Sequence, residues 1–306
     1  MRKLQLQDIV RRCIVSPRVR EHDFLQLSPF SGGSNFVRTR PVPTCVEVND
    51  LGRKLRSIRQ LPQFEPDQFW DFRYYAHNSS YKRLDGSCRG FSNWLVRDVI
   101  MVGRYPFCDP TKGPSVEEGQ AHLQGLLQSG LTSMACLQAE VPSLDSSWPS
   151  EGVPIEKVTD GHPAYKSGNT LRDWGTFVNY VPVLVEEAVK LKRSVPVIRH
   201  FPIEDMRCPD MDSLRQIVHQ ILEDLLVADG FVYIHCWGGM GRAAVVGACL
   251  LATLQNHLGP EEVLICTQVG YDSRVGSTGK QSPQTCEQRA LVRDFTISLR
   301  QAAESK

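Results

Sequence analysis

Between residues 98 and 300, short apolar runs alternate with longer stretches whose apolar residues recur every three or four positions. The runs predict strands over Asp98–Val102, Thr132–Leu137, Val195–His200 and Phe231–His235. The three-to-four spacing predicts helices over Val116–Gln128, Leu171–Lys192, Ser213–Val227, Arg242–Asn256 and Pro283–Leu299. In the second of these, Trp174, Phe177, Tyr180 and Leu184 form one apolar stripe, which reads as core and not as a recognition surface. Alternation of this kind predicts an α/β fold, with a central, mainly parallel sheet flanked by helices on both faces.

The first 90 residues do not share this rhythm. Residues 28–50 are rich in Pro, Ser, Gly and Asn and read as a linker or loop. Phe69–Tyr75 is aromatic enough to pack on the flank of the main domain. The chain therefore divides into a basic, partly irregular extension, 1–90, packed on or linked to a domain formed by 91–306.

Charge sharpens the division. Net charge is only +1, yet residues 1–60 hold twelve Lys or Arg against five Asp or Glu, leaving an acidic remainder. Met1–Arg20 has six basic residues and one acid, Asp8, so an organelle address is conceivable, although the segment is poor in serine and reads as an ordinary basic extension. No run of about 18 apolar residues exists, so no transmembrane segment is expected. The ten cysteines contain no Cys-x-x-Cys pair, which suits neither a zinc site nor a disulfide scaffold. These features predict an intracellular, cytoplasmic globular protein, with no nucleic-acid module and no internal repeat.

The chemistry concentrates at His235-Cys236-Trp237-Gly238-Gly239-Met240-Gly241-Arg242, between the apolar run 231–234 and the helix-like stretch after it. Backbone N–H groups at a helix N-terminus form a nest for a phosphate dianion, which would involve Trp237, Gly238, Gly239, Met240 and Gly241. Glycines 238, 239 and 241 can take positive φ and let those N–H groups converge. The helix terminus and Arg242 would favour the thiolate of Cys236, the nucleophilic form, while the planar fork of Arg242 can clamp two phosphate oxygens. His235 would fix the loop by hydrogen bonding and not act as a base. The spacing implies thiolate attack on a phosphate ester; a structural cysteine turn and a rhodanese-like sulfur carrier are the competing readings.

A proton donor for the leaving group is expected at the C-terminal end of a neighbouring strand. Asp205 stands there, 31 residues before Cys236, on a loop running through Pro209. Asp210 and Asp212 compete with it but suit the cap of the following helix. Gln284 and Gln288, four residues apart on a helix starting near Pro283, would share a face and could orient a water. Cys208 in the acid loop is either a thiol that could resolve oxidised Cys236 or an unpaired loop cysteine.

Taken together, His235–Arg242, Ser282–Gln288, Trp94-Leu95-Val96 and Gly103-Arg104-Tyr105-Pro106 resemble the cysteine-dependent protein tyrosine phosphatase superfamily, in its compact dual-specificity-like branch. The resemblance covers about residues 91–304. It implies Cys236 as nucleophile, Arg242 as phosphate clamp, Asp205 as general acid, Gln284 and Gln288 as residues managing water, a cysteinyl-phosphate intermediate, and no metal or cofactor. The implied substrates are phosphotyrosine, or phosphotyrosine with phosphoserine and phosphothreonine, on proteins; a small phosphate ester is the alternative. The absence of lysine inside the loop favours an aryl or protein phosphate over a highly charged headgroup.

One position departs from the resemblance. The superfamily carries Ser or Thr directly after the arginine, where the hydroxyl helps the thiolate leave; here Ala243 follows. Losing one hydrogen bond to a charged group is worth about 1.5–3 kcal/mol, so slow breakdown of the phosphoenzyme is expected. A pseudophosphatase that binds phosphorylated partners without turnover is the competing expectation.

Overall fold

A computed structural model describes residues 41–64, 79–83, 85–110, 113–155, 175–277 and 279–305, together with the backbone of 14–15. In chain order the elements are β1 (Ile14–Val15), α1 (Cys45–Ile58), β2 (Ser80–Lys82), β3 (Cys88–Gly90), β4 (Ser92–Val96), β5 (Ile100–Gly103), α2 (Val116–Gln128), β6 (Leu131–Gln138), β7 (Val153–Pro154), β8 (Thr176–Phe177), α3 (Val181–Lys190), β9 (Val197–Ile203), α4 (Met211–Val227), β10 (Phe231–His235), α5 (Arg242–Leu254), α6 (Pro260–Asp272) and α7 (Cys286–Glu304).

The main sheet has the order β1-β9-β6-β10-β5-β4. All its neighbouring pairs are parallel except β4 with β5. On β10, Val232 and Ile234 enter the core shared with α1, α4, α5 and α7, while Phe231 and Tyr233 enter the opposite core under α2 and α3. A strand covered on both faces has no solvent side, which is why its sequence is apolar without interruption. Because β5, β6, β9 and β10 run in one direction, their C-terminal ends open on the same edge of the sheet, where ligand sites of open α/β sheets form. The expected α/β architecture is the observed one.

Several expected elements change. The linker read over 28–50 ends early: helix α1 begins at Cys45, with Thr44 and Glu47 capping each other reciprocally. Val48 and Leu55 of α1 are fully buried in the core, and Asn49 donates to the Leu299 carbonyl at 2.8 Å. The long helix expected over Leu171–Lys192 is broken. Thr176 and Phe177 pair with β7, and the helix starts only at Val181, whose N–H is taken by the Asn179 side chain. Phe177, Tyr180 and Leu184 are buried as core; Trp174 and the Phe69–Tyr75 stretch lie outside the described residues. Helix α7 begins at Cys286 and not near Pro283, because Thr285 supplies the cap. Strand β4 and helix α6 were not expected: β4 opens on buried Ser92 and Asn93, whose polarity hides the strand. No helix among the described residues is long and apolar enough to cross a membrane.

Leu55 tests whether α1 is integral to the core. Leu55→Ala is expected to cost about 2–5 kcal/mol, measured as a lower urea midpoint at unchanged m-value. A loss within measurement error would mean that α1 merely rests on the surface.

Candidate active site

A cleft of about 620 Å³ opens at the C-terminal edge of the sheet. Its floor is the loop from β10 to α5, and Cys236, Trp237, Gly238, Met240, Gly241 and Arg242 all line it. Asp205, Gln284 and Gln288 reach the same cleft, so the structure brings the expected residues of three separate segments together.

The loop's peptide planes explain how it can hold an anion. In a trans peptide, the N–H points opposite to the carbonyl of the preceding residue. The Trp237 carbonyl accepts from Tyr105 N–H at 2.9 Å, and those of Gly238 and Gly239 accept from the Arg274 guanidinium at 3.3 and 2.7 Å. With three carbonyls turned away, the N–H groups of Gly238, Gly239 and Met240 are turned the other way. Gly239 N–H donates to Cys236 Sγ at 3.3 Å. Of the three loop glycines only Gly239 has positive φ, at 68°, correcting the expectation for Gly238 and Gly241. A Cβ on Gly239 would also stand 2.2 Å from the Gly103 carbonyl carbon. Gly241 serves differently: its missing side chain leaves room for the amides of Gln284 and Gln288.

Arg242 is the first residue of α5 and is buried. Both of its terminal nitrogens meet the carboxylate of Glu140, which lies just past β6 and is fully buried. Nη1 also donates to the Ile203 carbonyl at 2.8 Å, and Nη2 to Asp205 Oδ1 at 2.7 Å. Burial works against the charge on Arg242, but its hydrogen bonds to Glu140 and the fields of Cys236, Glu140 and Asp205 outweigh it and raise its pKa. The fork expected to clamp phosphate is thus held by Glu140, and its Nη2 is shared with Asp205. Met206, next to Asp205, has a left-handed φ of 62°, which is costly for a residue with a side chain.

His235 is fully buried and shares a 2.9 Å hydrogen bond between Nε2 and the Tyr180 hydroxyl. Burial, with lesser effects of His200 and Arg242, pulls its pKa to about 3, so the ring is neutral at physiological pH. The two glutamines do not share a helix face. Gln284 precedes the cap, whereas Gln288 is buried and tied at both ends of its amide: Oε1 accepts from the N–H groups of Gln284 and Thr285, and Nε2 donates to the Arg207 carbonyl at 3.0 Å. It therefore braces the acid loop against α7. Asp210 caps α4 through Ser213, whereas Asp205 reaches Arg242. Burial pushes the Cys208 thiol up, which lowers its thiolate fraction and weakens a resolving role.

Two residues were missed. Glu140 carried a signal, since it is an acid just beyond a predicted strand on the ligand edge. Arg274 carried none: it follows a helix that was not predicted, and its guanidinium makes four hydrogen bonds, to Asn93 Oδ1 and to the carbonyls of Val102, Gly238 and Gly239. Among the described residues, no group of three His, Cys, Asp or Glu side chains is placed to hold a metal ion.

A family model described as cyclin-dependent kinase inhibitor 3 matches residues 177–264, a stretch that carries Asp205 and the whole loop 235–242. Cyclin-dependent kinase inhibitor 3 of Sus scrofa is 32% identical over 103 residues, 34% of this chain and 45% of the relative; that of Homo sapiens gives the same figures. The chain thus spans less than half the length of these curated relatives. A crystal structure of kinase associated phosphatase, with serine replacing its catalytic-site cysteine, superposes with a TM-score of 0.41 at 20% identity, covering 65% of this chain and 86% of the other.

Arg274→Lys keeps the charge but cannot serve four acceptors. Its affinity for inorganic phosphate is expected to fall about tenfold, for the loss of roughly 1.4 kcal/mol of charged hydrogen bonding. The measurement is the rise of Tm with phosphate concentration; an undiminished rise would remove Arg274 from the binding of the anion.

Proposed function

We propose that the chain belongs to the cysteine-dependent protein tyrosine phosphatase superfamily, a reading supported by the match of residues 177–264 and by the 32% identity to its relatives, and that it hydrolyses phosphomonoesters on proteins, phosphotyrosine alone or with phosphoserine and phosphothreonine. The observation that carries this reading is the juxtaposition of Cys236 Sγ, the inward N–H groups of residues 238–240 and the buried Arg242.

In the proposed reaction the substrate phosphate enters the nest and displaces Asp205 from Arg242 Nη2. Once released from Arg242, Asp205 takes up a proton from solvent; the Cys236 thiolate attacks phosphorus, the P–O bond to the leaving group breaks, and Asp205 gives that proton to the departing oxygen. Water then attacks the cysteinyl phosphate. Asp205, as carboxylate, takes the water's proton, and the P–S bond breaks to release phosphate and thiolate. Gln284, which lines the cleft, is the residue we assign to orient this water, while Gln288 positions the loop that carries Asp205. His235 stays neutral and holds the loop through Tyr180. No metal or cofactor enters these steps.

The proposed domains are an extension over 1–90, whose helix α1 packs into the core, and a catalytic domain over 91–306. A reducing, intracellular setting belongs to the same reading, because the reaction needs Cys236 as a free thiolate.

Ala243 favours a second reading. It is fully buried in the core behind the loop, and it has no hydroxyl to stabilise the leaving thiolate. The step it weakens is the second one, so a protein that captures phosphorylated partners and releases them slowly is the competing function.

Phosphopeptides and an aryl phosphate distinguish the two. Wild type should release phosphate from both, and Cys236→Ser should abolish release while retaining phosphopeptide binding; activity surviving that change would exclude the thiolate mechanism. Rapid-quench kinetics should show a burst followed by a slower steady state. Ala243→Ser should raise the steady-state rate about 10- to 100-fold, and an unchanged rate would remove phosphoenzyme breakdown as the bottleneck.

A further inference from the structure

The cleft extends well past the phosphate nest. One wall beyond the nest is formed by the β2–β3 hairpin and the segment after α6, which are joined into one surface. Gly90 N–H donates to the Val275 carbonyl at 2.7 Å, and the Arg89 guanidinium donates to the Gly276 carbonyl. Among the described residues, six cations line the cleft, Arg83, Arg89, Arg104, Arg242, Arg274 and Lys280, against one carboxylate, Asp205.

Their partners sort these cations into two sets. Arg242 is matched by Glu140 and Asp205, Arg104 by buried Asp109, and Arg274 by backbone carbonyls of the loop. Arg83, Arg89 and Lys280 are matched less well. The acid nearest to Arg83 is Asp85 at 3.8 Å, outside the cleft lining, and its Oδ1 is already taken by the N–H and hydroxyl of Ser87. Arg83 and Lys280 are exposed, and Arg89 is half-buried. A row of cations on the rim of a concave site raises the local concentration of anions there.

From this rim we propose, resting on the phosphatase reading, that the substrate is a phosphorylated protein segment with acidic side chains or a second phosphate beside the scissile phosphate. Arg83, Arg89 and Lys280 are its specificity determinants. The placement favours a chain over a compact polyphosphorylated ring. The five residues between Cys236 and Arg242 contain no cation, so extra charge is met only on the rim. An extended peptide advances about 3.3 Å per residue and carries its flanking charges outward along that wall. Tyr81 and Tyr271, also in the lining, offer apolar surface to the intervening residues.

The test uses the full chain and three phosphotyrosine peptides of equal length, with neutral, acidic or second-phosphate flanks, plus inositol hexakisphosphate as competitor. Wild type should show kcat/KM about five- to tenfold higher for either anionic peptide than for the neutral one, as expected for two or three rim ion pairs. That ratio should fall as salt is raised to about 0.5 M, because exposed charges are screened. In Arg83→Ala/Lys280→Ala the ratio should approach one, and Lys280→Glu, which leaves the same net charge on the rim, should lower it about as far. Equal kcat/KM for the three peptides in wild type, or a ratio that survives the double substitution, overturns the proposal. So does stronger competition by inositol hexakisphosphate than by the acidic peptide. Binding of the same peptides to Cys236→Ser reads the preference without turnover. If the wild type hydrolyses neither peptide nor aryl phosphate, the enzyme reading fails while the rim preference is still decided.

Discussion

The buried guanidinium of Arg274 is the interaction on which the cleft depends. A loop of small residues has no side-chain packing to dictate which way its peptide groups face. Here the decision comes from outside the loop, because carbonyls of Gly238 and Gly239 are drawn to Arg274 and that of Trp237 to Tyr105. The N–H groups must then face the opposite way, and the nest exists before any anion arrives. Burial pulls Arg274 down to about 10, so it is still a cation at neutral pH and adds positive field beneath the loop. Preorganised dipoles of this kind need no rearrangement when the ligand arrives, which makes them effective in catalysis.

Arg242 illustrates a different constraint. A buried cation without partners is expensive, and Glu140 removes most of that cost by meeting both terminal nitrogens. The clamp is therefore rigid, yet one of its donors is shared with Asp205. In the proposed reaction the acid and the phosphate compete for the same nitrogen. That competition couples phosphate entry to release of the loop carrying Asp205, whose left-handed Met206 and brace from Gln288 to Arg207 limit the positions it can take.

The sequence made the central strands and the loop legible because their signals are local. Phe231–His235 is apolar without interruption, and Cys236 and Arg242 stand at a diagnostic spacing. What was hidden depends on distant partners. Arg274 is unremarkable until its donors are traced across the fold to Asn93 and Gly239, residues 181 and 35 positions away. Helix α1 was obscured by a Pro- and Ser-rich approach, although the Thr44–Glu47 box that starts it was present in the residues. The break before Val181 was hidden for the opposite reason: apolar spacing continued through Phe177 and Tyr180, while pairing with β7 took Thr176 and Phe177 into a strand. The two glutamines expected to orient a water were placed on one helix face, whereas Thr285, and not the preceding proline, sets the start of α7 and leaves Gln284 ahead of it.

Arg274 and Lys280 lie on one short segment after α6, the first holding the nest and the second standing on the rim. The two tasks differ in what they tolerate. The anchor has fixed acceptors on all sides, while the side chains of Arg83 and Lys280 stand exposed on the rim. Substitutions at Lys280 can retune which substrates are favoured without disturbing the loop, whereas an insertion or deletion nearer Arg274 would alter both at once. Divergence of substrate preference in chains built this way should therefore proceed by charge exchange at the rim and seldom by change in the segment's length.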